Sequence, residues 1–182
     1  WFFNLVLTLL VLTGTSIYAQ LSNYAFTSTS GTYTAVSGGT QLVASGVDSG
    51  VSAVTNIGFN FVFDGTTYTQ FSVTSNGWIK LGGTAGSTTS TTPLSTTAQM
   101  PSIALFARDA KTGSPVVYQL SGVSPNQVLT IDFPNYYPYW NSTTPALNMQ
   151  AKLYEGTNKI EIIYGSYTSG STYTGQVGIA SS

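Results

Sequence analysis

Beyond residue 20, apolar and polar residues alternate along most of the chain, a period of two that predicts half-buried strands. The pattern is clearest in "NIGFNFVFDGTTYTQFSVTSNGWIKLG". Ile57, Phe59, Phe61 and Phe63 fall on one face, followed by Phe71 and Val73, then Ile79 and Leu81. Asp64-Gly65 predicts a tight turn, and Ser75-Asn76-Gly77 a three-residue loop with Gly77 in the left-handed conformation. That loop sets Val73 opposite Ile79 and Phe71 opposite Leu81, so both strands turn the same face inward. A two-residue Asn-Gly turn would put them out of phase.

A second hairpin is written in "ALNMQAKLYEGTNKIEIIYG". Leu147, Met149, Ala151 and Leu153 alternate inward, as do Ile160, Ile162 and Tyr164. A turn at Gly156-Thr157 pairs Leu153 with Ile160, Ala151 with Ile162 and Met149 with Tyr164. It places Lys152 opposite Glu161 on the outer face, a favourable cross-strand pair. "PSIALFARDA", "SPVVYQLSG" and "VLTIDF" each predict one more strand. The stretch Gly82 to Gln99 has no period and is rich in Gly, Ser and Thr, which predicts a long surface loop. Short strands divided by Gly, Asn, Asp and Ser clusters add up to an all-β fold, an antiparallel β-sandwich of jelly-roll-like character. Trp78 falls on the face opposite Ile79, so it needs a covering loop or a partner.

The first twenty residues, "WFFNLVLTLLVLTGTSIYAQ", break this pattern. An apolar run from Leu5 to Leu12, then small and polar residues ending in Ala19, predicts an N-terminal signal segment over residues 1–19, cleaved after Ala19. A retained anchor helix is the alternative, weakened by Asn4, Gly14 and Ser16. Residues 20–182 are then expected to form a single β-sandwich module, a fragment of a longer protein.

Charge narrows the function classes. Charged residues make up 6% of the chain, five Lys+Arg against six Asp+Glu, where ordinary soluble domains carry about a quarter. Contact with water must therefore be made by hydroxyl and amide side chains. No basic stripe supports a nucleic-acid partner, and membrane contact is expected only through the signal segment before cleavage. The chain contains neither His nor Cys, which removes Ser-His-Asp and Cys-His nucleophiles and the usual zinc sites.

A glycosidase needs only two carboxylates, so the six acids were weighed individually. Asp64 is accounted for by its turn, Glu155 by a hairpin end, Glu161 by its pairing with Lys152, and Asp132 by an outward strand position. Asp48 and Asp109 stand alone in the sequence, short of the roughly six to eight oxygens calcium takes. No catalytic residue, metal ligand or cofactor is expected. Asn141-Ser142-Thr143 matches the N-glycosylation pattern but is expected to be a polar loop.

The most concentrated candidate is "FPNYYPYWNSTTP". The inward alternation of Leu129, Ile131 and Phe133 should end at Pro134, which cannot continue a central strand. Tyr136, Tyr137, Tyr139 and Trp140 are then expected on a loop or irregular edge, with Asn135 and Asn141 alongside as hydrogen-bonding groups. The rings either cover the open end of the sandwich or stand side by side as a platform for sugar rings. Packing is preferred, because aromatic runs at element ends more often cover a core.

Four segments, "YAFTSTSGTYTAVSGGT", "IGFNFVFDGTTYTQFSVTSNGWIKLG", "VYQLSGVSPNQVLTIDF" and "MQAKLYEGTNKIEIIYG", follow one another in this order. Together they resemble the N-terminal β-sandwich module of large secreted bacterial proteins, often followed by fibronectin type III repeats and a type IX sorting tail. A more distant likeness is to the extracellular module of nidogen. The resemblance runs from Asn23 to the last residue and rests on strands and turns, so it implies fold and a secreted or cell-surface location in bacteria. In that family the strand reading "IALFARDA" here usually carries an aromatic and two acidic residues, whereas this chain has Asp109 with Arg108 beside it. The expected function is a non-catalytic structural or adhesive extracellular module, with polysaccharide or neighbouring surface-protein domains as partners. The alternatives are a carbohydrate-binding module using the aromatic loop, or a subunit of an extracellular filament that retains its N-terminal segment.

Overall fold

The alternating segments pair into ten strands in a computed structural model that describes residues 21, 24–145, 147–168 and 171–181. The signal segment expected at residues 1–19 lies outside the described residues. In chain order the strands are Thr40–Val43 (β1), Thr55–Phe63 (β2), Thr66–Thr74 (β3), Trp78–Leu81 (β4), Ser102–Ala107 (β5), Val116–Ser121 (β6), Val128–Tyr136 (β7), Leu147–Tyr154 (β8), Ile160–Tyr167 (β9) and Gln176–Ala180 (β10). They form two antiparallel five-stranded sheets, ordered β1-β6-β7-β8-β9 and β10-β5-β4-β3-β2.

Each sheet is a four-strand meander completed by a strand from the other end of the chain. β1 precedes the second meander in sequence but joins it beside β6, and β10 follows that meander but joins the first beside β5. These two exchanges tie the sheets together. The sequence pattern did not reveal β1 or β10, because strands of four and five residues are too short to show a period without a partner.

Both hairpins adopt the expected registers. Val73 faces Ile79 and Phe71 faces Leu81, and Lys152 faces Glu161, with Leu153 opposite Ile160. Asp64 and Gly65 have φ of 48° and 74°, the two left-handed residues of a hairpin turn that matches strand twist. The inward residues of both sheets meet in one core that includes Phe61, Phe63, Phe71, Ile79, Leu129, Ile131, Phe133, Met149 and Leu153. Such interdigitated apolar burial supplies most of the driving force for a sandwich.

Part of each outer face is covered. On the β4 face Trp78 is 0% exposed beneath the segment 82–101, which is not an open surface loop. It winds through short 3-10 turns at Pro93–Ser95 and Thr97–Gln99 and lays Leu94 against Trp78. The indole Nε1 donates to the Ser90 carbonyl at 3.0 Å, and Lys80, two residues on, donates from Nζ to the Ala98 carbonyl at 2.8 Å. On the opposite sheet Asp132 does point outward, but it is completely buried. Tyr33 Oη and the Val36 amide each donate to its carboxylate at 2.9 Å, and Gln150 donates to the Thr34 carbonyl at 2.6 Å. Residues 33–36 therefore form a strap held down by one acid.

Pro134 does not end its strand. β7 continues to Tyr136 through a bulge between Phe133 and Tyr136, with Asn135 at φ 52°. A bulge is where a strand tolerates a residue lacking an N–H. The Pro134 carbonyl still accepts from the Ser114 amide at 3.3 Å, and the Asn135 amide donates to Asn148 Oδ1 at 2.8 Å. The extra residue restores the inward phase, and Tyr136 re-enters the core.

Candidate functional site

One end of the sandwich gathers the β3–β4 turn, the β5–β6 and β7–β8 connections, the loop after β1 and the segment leading into β10. Asn76 organises this end. The three-residue turn buries its side chain, which donates to the Thr88 and Ser90 carbonyls at 3.2 and 3.3 Å and accepts from the Ala110 amide at 3.2 Å. Its own carbonyl accepts from the Arg108 amide at 3.2 Å. A turn residue thus aims the segment Arg108–Lys111 outward between the neighbouring loops.

The aromatic run divides when it reaches this end. Tyr136 is 1% exposed, packs edge-on against Phe133 at 6.4 Å and donates to the Phe106 carbonyl at 3.2 Å. It belongs to the core and to β7, not to a loop. Burial raises the pKa of its hydroxyl, which keeps it a proton donor. Tyr137 is half-buried and bridges to Lys111, whose Nζ lies 4.7 Å from its ring centroid and donates to the Ser142 carbonyl at 3.1 Å.

Tyr139 and Trp140 are 39% and 43% exposed, with centroids 5.7 Å apart and planes inclined at 51°. They share a surface but make no flat platform. Asn135 and Asn141 are both exposed, and Asn135 binds Ser114 Oγ at 2.9 Å. The six candidates are therefore distributed among the core, a strand bulge and a loop surface, and do not line a single face.

Residues that the sequence did not single out as a site complete the geometry. Arg108 is half-buried, with Cζ 5.6 Å from the Tyr139 centroid and 4.9 Å from that of Tyr173, both within cation–π range. Tyr173 also meets Ser142 Oγ at 3.3 Å. Arg108 Nε is buried with no hydrogen-bond partner. The residue lines an open depression of about 290 Å3 together with Thr91, Thr92, Asp109, Thr174 and Gln176.

Asp109 and Asp48 are not isolated from each other as their sequence positions suggest. Burial first, and then the charge of Asp109, raise the carboxyl pKa of Asp48 above the ordinary range, with Lys111 opposing. Among the described residues no three acidic side chains gather as a metal-binding group. A sequence signal for this cluster did exist: two of the five basic residues and one of the six acidic ones fall within Arg108–Lys111.

Stacked antiparallel sheets with polar and aromatic groups on loops at one end define a β-sandwich module whose chemistry is carried by its loops. A family model described as NIDO related matches residues 23–182, and the chain belongs to that nidogen-related family of extracellular modules. Searches among curated proteins and among solved structures each found no match.

Proposed function

We propose that the chain is a non-catalytic structural and adhesive module of a secreted or surface protein, of the bacterial kind its strand-and-turn segments resemble. The observation that carries this is the use of its acids. Asp132 clamps the strap at Tyr33 and Val36. Glu155 accepts from Ser124 Oγ at 2.8 Å and the Gln127 amide at 3.0 Å, which closes the β6–β7 loop. Glu161 pairs with Lys159 at 2.6 Å and with the Tyr154 hydroxyl, and Asp64 occupies the left-handed turn before β3. Three of six carboxylates thus act as fasteners, and a fold held down in this way suits a unit that keeps its shape at a cell surface.

Carbohydrate binding is the second reading, favoured by the half-exposed Tyr139 and Trp140 beside polar loops. Beads coated with the full chain and exposed to insoluble polysaccharides test both. Retention without release of reducing ends is expected. Release of reducing ends that disappears in Asp48→Asn or Asp109→Asn would make the module an enzyme and overturn the proposal.

A further inference from the structure

The geometry points to the depression at Arg108 as a binding site for a sugar acid, a pyranose bearing a carboxylate as in uronate polysaccharides. This rests on the adhesive reading and names what the module would hold.

The guanidinium is the starting point. Arg108 lies over two tyrosine rings, and such stacking restrains a flexible side chain before a ligand arrives, so less freedom is lost on binding. Its Nε is buried without an acceptor, and among the described residues the only ion pair is Lys159 with Glu161, far along the chain. A buried donor of this kind gains most from a charged, planar acceptor, and a carboxylate matches the guanidinium fork.

The lining decides between carboxylate sources. Around the guanidinium stand the hydroxyl residues Thr91, Thr92 and Thr174, the amide residue Gln176 and the acid Asp109, with only Ala107 and Gly175 nonpolar. A peptide C-terminus would need an enclosed pocket for its last side chain, and this depression is open. A sugar acid carries one carboxylate for Arg108 and several hydroxyls that can donate to Asp109 and exchange hydrogen bonds with the threonines. The volume, about 290 Å3, sits at the lower end of small-molecule sites and fits a short stretch of sugar chain at most.

Calorimetric titration of the full chain with tetragalacturonic acid, against maltotetraose as the neutral counterpart, tests the site. Tetragalacturonate is expected to bind at least roughly tenfold more tightly than maltotetraose, the scale of one charge-assisted hydrogen bond, and more weakly as salt is raised. Arg108→Gln and Arg108→Lys should both lose that advantage, the second because an ammonium lacks the planar fork. Thr174→Val should weaken binding several-fold with Arg108 intact, so the site stays testable if the arginine variants fail to fold. Lys152→Gln, which removes a charge on the outer face away from this end, should bind as the parent does.

Equal affinity for the neutral tetramer, or full affinity in Arg108→Gln, would overturn the proposal. So would competition by a peptide with a free C-terminus that its amidated form does not show, which would assign the depression to chain ends. Absence of tetragalacturonate binding while coated beads are still retained on other polysaccharides would reject this site and leave the adhesive reading standing. Loss of all retention together with tetragalacturonate binding that depends on Arg108 would do the reverse.

Discussion

The hydroxyl of Tyr136 rests on the bare Cα of Gly77, so closely that a Cβ there would come within 2.6 Å of it. The same Cβ would lie 2.7 Å from the Phe106 carbonyl, and Gly77 holds φ at 78°. The turn that sets the β3–β4 register and the tyrosine that closes this end of the core are therefore one packing unit. Gly77→Ala should cost roughly 1–2 kcal/mol for the left-handed backbone alone, and more for displacing Tyr136. In a Tyr136→Phe background, which removes the overlapping oxygen, the same glycine substitution should cost less. Four chemical denaturation curves measure this coupling, and strict additivity would show that the two residues do not act together.

Burial separates the aromatic residues by their effect on stability. Tyr136→Ala should lower stability by about 3–5 kcal/mol, as large aromatic truncations in cores do. Trp140→Ala, at a side chain 43% exposed, should stay within about 0.5 kcal/mol of the parent. Thermal melts of the two variants check the contrast, and a large shift in Trp140→Ala would mean that its ring covers the core after all.

Trp78 should control the cover formed by residues 82–101. Gly86 lies so close that an added Cβ would come within 2.6 Å of the indole, so Gly86→Val should lift the segment while leaving the strands paired. Limited proteolysis is expected to cut within residues 82–101 faster in this variant than in the parent, before any change in global unfolding. Unchanged cleavage would show that the cover is held by its other bonds, such as Lys80 to Ala98.

Two acids should give opposite pH responses. Burial, the largest effect, raises the Asp132 carboxyl pKa above its ordinary 3.8 despite the bonds from Val36, Tyr33 and Gln150. A raised acid pKa contributes stability that is full below 3.8 and is lost as pH rises through the raised value. Asp132→Asn should therefore gain relative to the parent on going from pH 3 to pH 7. For Glu161, burial would raise the pKa, but bonds from Lys159 and Tyr154 and the charges of Lys159 and Lys152 outweigh it and lower it below 4.5. Its stability contribution is present above 4.5 and is lost as pH falls through the lowered value. Glu161→Gln should thus lose relative to the parent over the same rise in pH. Melting temperatures of the three proteins across this range decide, and two parallel differences would contradict the assignment.

Much of the sandwich was legible from local rules. The alternation from Ile57 to Phe63 and from Leu147 to Leu153, with turns at Asp64-Gly65 and Ser75-Asn76-Gly77, was enough to set face and register. A one-residue slip would expose several large apolar side chains, each worth roughly 1.5–3 kcal/mol when buried. The demand that Trp78 be covered was legible too, since an indole on an outer face is costly to leave in water.

What covers Trp78 was not legible, nor was the strap over Asp132 or the exchange of β1 and β10, because those contacts join residues far apart in sequence with no shared period. Pro134 misled for the same reason: a bulge depends on partners such as Ser114 and Asn148, not on the proline alone. The candidate site followed that division. Sequence alone determined that aromatic and polar groups crowd Phe133–Pro145 and that three charged residues fall within Arg108–Lys111. Only the tertiary structure decided that Tyr136 goes to the core while Tyr139 stays outside with Arg108. A side chain's neighbours across a sandwich are set by which loops converge at its end, and convergence is a property of the whole fold.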